Sequence, residues 1–225
     1  MPDMSGAMTE QASAARRHAA GLETEIVRFL REMIAIPAES RNEGERCRRV
    51  LDEYERLGFD EARFDRLGNV VARIGNGPFS ILMDGHIDCV GVGDAAAWSH
   101  DPFEGKLEDG RVWGRGAVDE LPAIACMAYG MKIAREAGIP PDVSIYLTAS
   151  VMEEDCDGYC LLHLIENEGI RPDVVVIGEP TDLGVYRGQR GRVEAMITAR
   201  GVSSHAAHPE QGVNALYKLA PVLND

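Results

Sequence analysis

The sequence predicts an α/β protein: a mostly parallel mixed sheet with helices on both faces, followed by the start of a smaller α+β lid domain. Two observations carry that reading. Short runs rich in Val and Ile (FSILMDGH, VSIYLTA, DVVVIG) alternate with helical patterns, as happens where strands are covered on both faces. Past Thr181 the texture changes to a long alternating stretch, VYRGQRGRVEAMITAR, of the kind that forms half-exposed antiparallel strands.

Taken in order, residues 1–20 read as a disordered arm and residues 21–183 as the first domain. From Leu22 to Ile36 apolar residues recur at helical spacing until Pro37 stops the run. A second amphipathic helix fits Glu43 to Leu57 and ends at Gly58. EARFDR, NVVARIG and FSILMDGH follow as strands, and KLEDGRVWG as a hairpin. Leu121 to Ala137 is a largely apolar helix, with Pro122 in its first turn, where a missing N–H is harmless. The strand VSIYLTA, a helix from about Gly158 to Glu168 and the strand DVVVIG come next. A boundary falls near Asp182 to Gly184, and residues 184–225 begin the lid, with a helix from Val213 to Leu223.

Composition narrows the function classes. With 37 acidic and 23 basic residues the net charge is -14. Such a field repels phosphate backbones and anionic lipid, so neither nucleic acid nor a membrane is an expected partner. No stretch reaches the ~20 apolar residues of a membrane helix, and the start lacks the apolar segment of a secretory signal. The five cysteines are unpatterned, as reduced thiols in a cytoplasmic protein are.

The chemistry concentrates where strands leave the sheet. SVMEEDCDG places Glu153, Glu154 and Asp155 side by side directly after a buried strand. Adjacent carboxylates near low-dielectric protein are costly unless something neutralises them. An isolated cluster of this kind is ordinarily a solvated turn, a lone strand-end His ordinarily structural, and an Asp before a helix ordinarily a cap. Here, however, His86 and Asp88 end FSILMDGHID, Asp119 precedes the long helix, and Glu179 ends DVVVIGEP. In open α/β sheets these are the places where sites form. One histidine with carboxylates and no cysteine suits a divalent ion used for hydrolysis rather than a structural zinc knot. Asp88, two residues beyond His86, points the same way and can accept the ring's second N–H.

GHID, GRGAVDE, SVMEEDCDG, IGEPTD and GVSSHAAHPEQGVNA together resemble the zinc peptidase and deacylase family of acetylornithine deacetylase, succinyl-diaminopimelate desuccinylase, carboxypeptidase G and aminoacylase. FLREMIAIPAES, EEDCDG and VYRGQRGR are most similar to its selenium-metabolism-linked hydrolase subgroup. The resemblance implies two Zn2+ ions per full-length subunit, with Co2+ or Mn2+ as alternatives. His86 and Glu179 would hold one ion, Asp119 would bridge both, and Glu154 would hold the second. Glu153 would be the general base, Asp88 would orient His86, and the Asp119–Glu120 peptide would be cis. His205 would reach the site of the partner subunit in a homodimer formed through the lid. The implied reaction is hydrolysis of an amide bond in an N-acyl amino acid or a small peptide-like molecule.

The chain departs from the family pattern in two places. Glu120-Leu121-Pro122-Ala123 stands where many members carry Lys-Gly, which bears on the surroundings of the site. The family's last metal ligand is a histidine further along a longer chain, so residues 21–183 are expected to be a catalytic domain without its closing part. Two rival readings follow: a non-catalytic fragment or interaction module, and an aminopeptidase using the same centre. Arg187, Arg190 and Arg192 read either as contacts to a substrate carboxylate or as a basic edge strand.

Overall fold

The computed structural model describes residues 4–223, and the chain divides into two compact units, Met1–Leu183 and Gly184–Asp225. The first unit opens with three helices: α1 (Met4–Gly21), α2 (Glu23–Ile34) and α3 (Gly44–Leu57). Of the stretch expected as a disordered arm, residues 1–3 lie outside the described residues and the rest forms α1. Its many alanines favour a helix, and it lies along α4 (Leu121–Ala137), where His18 pairs with Glu136 at 3.2 Å. α3 ends where Gly58 takes φ 73, a left-handed value that a side chain resists.

The strands β1 (Glu61–Phe64), β2 (Val70–Gly75), β3 (Phe79–His86), β6 (Val143–Ser150) and β7 (Val174–Ile177) form one sheet in the order β1-β2-β6-β3-β7. β1 and β2 are joined by a tight turn and pair antiparallel, as do β2 and β6. β3 runs parallel to β6 on one side and to β7 on the other. The expected hairpin is β4 (Lys106–Glu108) with β5 (Arg111–Trp113).

One face of the sheet is sealed by Phe29, Met33 and Ile34 of α2, Val50 and Tyr54 of α3, and Leu121, Ile124 and Ala128 of α4. Burying each large side chain contributes about 1.5–3 kcal/mol relative to exposure. The other face carries a smaller cluster, Val71 and Leu82 with Leu164 of α6 (Tyr159–Glu166) and Ile170. Because β3, β6 and β7 are parallel, their carboxyl ends lie on one edge, with His86 directly opposite Ser150.

In the second unit the alternating stretch 185–200 forms no strand among the described residues, although a pair was expected. Alternation marks which side chains would share a face; a strand also needs a neighbour for its backbone groups. Val193 and Met196 stand almost fully exposed, and Val202 and Val213 form a single antiparallel bridge. The expected last helix is α7 (Ala215–Leu219), capped by the Asn214 side chain and continued by a 3-10 turn over Ala220–Leu223. No described helix is long and apolar enough to cross a membrane.

Candidate metal centre

β3 delivers His86 to the edge of the sheet with 2% of its side chain exposed, its Nε2 facing outward. Asp119, at the start of α4, approaches to 3.0 Å; Glu179, just beyond β7, to 3.9 Å; and Glu153, just beyond β6, to 4.0 Å. Ligand atoms of His86, Asp119 and Glu179 all lie within 4.8 Å of one another. One imidazole nitrogen and two carboxylate oxygens, partly open to solvent, form a donor set suited to a divalent ion that keeps a position free. Glu154 lies outside that group of three.

Asp88 sits behind the ring. His86 Nδ1 is 2.9 Å from the Asp88 main-chain oxygen and 3.4 Å from its carboxylate. The carboxylate also accepts from Ser40 Oγ at 2.6 Å and from the N–H groups of Glu153 and Glu154 at 3.1 and 3.2 Å. Asp88 therefore ties the end of β3 to the short helix α5 (Glu153–Cys156), which carries both glutamates. The Asp119–Glu120 peptide is cis, as the family resemblance implies.

The electrostatics are those of a crowded anionic site. Burial raises the Glu153 carboxyl; His86 opposes this, while Glu179, Glu154 and Asp88 add to it, and the group reaches about 7. Glu154 and Glu179 are raised for the same reasons, burial first. Burial works against charge on His86, yet Asp88, Glu120 and Asp119 outweigh it and push the imidazole up to about 11. The space before Nε2 thus favours positive charge.

Three residues behind the site escaped the sequence reading. Arg46, with no exposed surface, donates to the Ile36 carbonyl from Nε at 2.9 Å and to the Ile87 carbonyl at 2.6 Å. Glu43 accepts the Met152 N–H at 3.0 Å, and Ser40 holds Asp88. Together these groups brace the segments that carry His86 and Glu153. The readable signal was charge on the apolar face of α3, where Arg46 falls in line with Val50 and Tyr54.

His205 belongs to the second unit, where it is exposed and its Nδ1 accepts the Ala207 N–H at 3.2 Å. Arg187, Arg190 and Arg192 are also exposed there.

A family model described as Peptidase family M20/M25/M40 matches residues 82–219. The uncharacterized protein YgeY of Escherichia coli (strain K12) is 45% identical over 203 residues, which cover 90% of this chain and 50% of that protein. Succinyl-diaminopimelate desuccinylase of Cereibacter sphaeroides (strain KD131) is 38% identical over 212 residues, covering 86% and 54%. The chain thus spans about half the length of these curated relatives. Among solved structures, human carnosine dipeptidase 1 superposes with a TM-score of 0.62 at 22% identity over 73% of this chain and 40% of that one, a likeness of fold.

Proposed function

This chain belongs to peptidase family M20/M25/M40, and on that footing we propose that it supplies the metal-binding half of a zinc-dependent hydrolase that cleaves amide bonds. The observation that carries the reading is the convergence of His86, Asp119 and Glu179 at three neighbouring segment ends, with Glu153 4.0 Å from the same imidazole nitrogen. His86 and Glu179 would hold one zinc ion, Asp119 would be shared, and Glu154 would serve a second ion. Bound there, zinc would polarise the scissile carbonyl and acidify a water. Glu153 would act as the general base, accepting a proton from water and passing it to the leaving amine. Asp88 keeps the His86 ring turned so that Nε2 faces the reacting groups.

The substrate class we propose is an N-acyl amino acid or a small peptide-like molecule. The desuccinylase relatives, named for cleaving a succinyl group, support that class. The protein would act as a homodimer in which His205 reaches the partner's site. In the full-length protein, turnover of N-succinyl and N-acetyl amino acids should exceed that of peptides with a free amino terminus; the reverse order would make the protein an aminopeptidase. In the full-length protein, Glu153→Ala should lower turnover by about 10²–10⁴ while leaving zinc content intact. Equal loss of zinc in Glu153→Ala and Glu154→Ala would contradict the roles given to the two glutamates.

A further inference from the structure

The residue after Asp119 is a glutamate whose side chain is 1% exposed. Its Oε1 accepts the main-chain N–H of His86 at 2.5 Å. Its carboxyl lies over two glycines, Gly85 near the end of β3 and Gly178 just past β7. A Cβ built on Gly85 would come within 3.2 Å of Oε1, and one built on Gly178 within 3.1 Å of Oε2. The Gly178 methyl would also meet Ala123 Cβ at 2.5 Å. Gly178 in turn donates its N–H to the Asp84 carbonyl at 2.9 Å, continuing the β3–β7 ladder.

Each of these residues is the covalent neighbour of a candidate ligand. Gly85 precedes His86, Glu120 follows Asp119, and Gly178 precedes Glu179. Resting on the zinc reading above, we infer that Glu120 is a positioning residue, its buried carboxyl seated between Gly85 and Gly178 so that His86, Asp119 and Glu179 converge. Burial keeps the carboxyl from substrate, and the His86 N–H occupies Oε1, so its action runs through the backbone of the ligands. The glutamate at this position is held by the His86 N–H on one side and faces the two glycines on the other. It spans from the residue before α4 to the end of β3, and a side chain at Gly85 or Gly178 would crowd its carboxyl.

The test separates reach from the carboxyl group itself. Glu120→Gln keeps the reach and the Oε1 acceptor but replaces the carboxyl; Glu120→Asp keeps the carboxyl but withdraws the acceptor by one methylene. In calorimetric titration of the metal-free chain with Zn2+, Glu120→Gln should bind as the wild type does. Glu120→Asp and Gly178→Ala should bind roughly 10–100-fold more weakly, the usual cost of disturbing the residues behind metal ligands. The His86 amide proton shift, read by NMR without metal, should be kept in Glu120→Gln and moved in Glu120→Asp. Wild-type affinity in Glu120→Asp, or loss in Glu120→Gln as great as in Glu120→Asp, would overturn the inference. If Glu120→Asp does not fold, Glu120→Gln decides by the same two readouts, retention supporting the inference and loss overturning it. A wild-type chain that takes up no Zn2+ while His86→Ala behaves identically would sink the zinc reading alone, and the amide shift would still decide the role of Glu120.

Discussion

Glu53 and Glu153 lie in the same unit and meet opposite surroundings. Glu53, on α3, is 1% exposed and accepts from Arg49 and Arg56 at 2.6 Å each and from the Tyr129 hydroxyl at 2.7 Å. Burial alone would raise its carboxyl, but the bonds from Arg56, Tyr129 and Arg49 win and bring it down to about 2. Glu153 has His86 as its one ion-pair partner among the described residues, at 4.0 Å, and other carboxylates close by. The first glutamate is answered by organic cations of the fold, and the second stands beside the candidate metal-binding group of His86, Asp119 and Glu179. Glu53 is saturated by arginines, whereas Glu153 shares its field with further acids and a single imidazole, the arrangement the proposed metal centre calls for.

That contrast can be broken from either side. The largest expected effect is at Glu53. Glu53→Ala removes the buried acceptor shared by Arg49, Arg56 and Tyr129, leaving Arg49 to Glu32 and Arg56 to Glu25, and the loss of these charge-assisted bonds should cost about 3–5 kcal/mol in chemical denaturation. Next is acidity. With its folded value near 2 and an ordinary value of 4.5, Glu53 stabilises the fold fully above the ordinary value. That stability is lost as pH falls from 4.5 toward 2, by about 3 kcal/mol in all. Glu53→Gln should flatten this acid limb, and an unchanged limb would show that other carboxylates dominate it.

At the site the sign should reverse. Glu153→Gln in the metal-free chain removes repulsion from Glu179, Glu154 and Asp88, and should stabilise it by about 1 kcal/mol at pH 8. A drop in the unfolding midpoint there would mean that the acids are compensated much as Glu53 is. The smallest effect belongs to Arg28, which bonds Glu53 at 3.3 Å from a side chain 42% exposed. Arg28→Ala should cost at most about 1 kcal/mol.

How much of this was legible in the sequence differs by region. β3, β6, β7 and α4 announce themselves through Val/Ile runs and apolar periodicity, so the placement of His86, Asp119 and Glu179 follows from where those runs stop. Proximity among the ends depends on strand order, which local pattern does not encode; the family resemblance supplied it. Glu43 and Arg46 were missed because their partners are backbone groups distant in sequence, and Ser40 because it bonds the distant Asp88 carboxylate; Glu120 stood out as a departure from the family pattern, but its bond to the His86 N–H did not. The stretch 185–200 failed for the opposite reason. Its alternation is clear, but the neighbouring strand that would turn alternation into a ladder is missing among the described residues.

The central claim, that the strand-end acids and His86 form a cation centre while Glu53 belongs to the scaffold, is tested most directly by Zn2+ and thermal unfolding. Zn2+ at a hundredfold excess over its dissociation constant should stabilise the wild-type chain by about 2.7 kcal/mol. The same shift should appear in Glu53→Gln, starting from a lower midpoint, and should vanish in His86→Ala and Asp119→Ala. Stabilisation of His86→Ala and Asp119→Ala equal to that of the wild type would place the bound ion elsewhere and contradict the account.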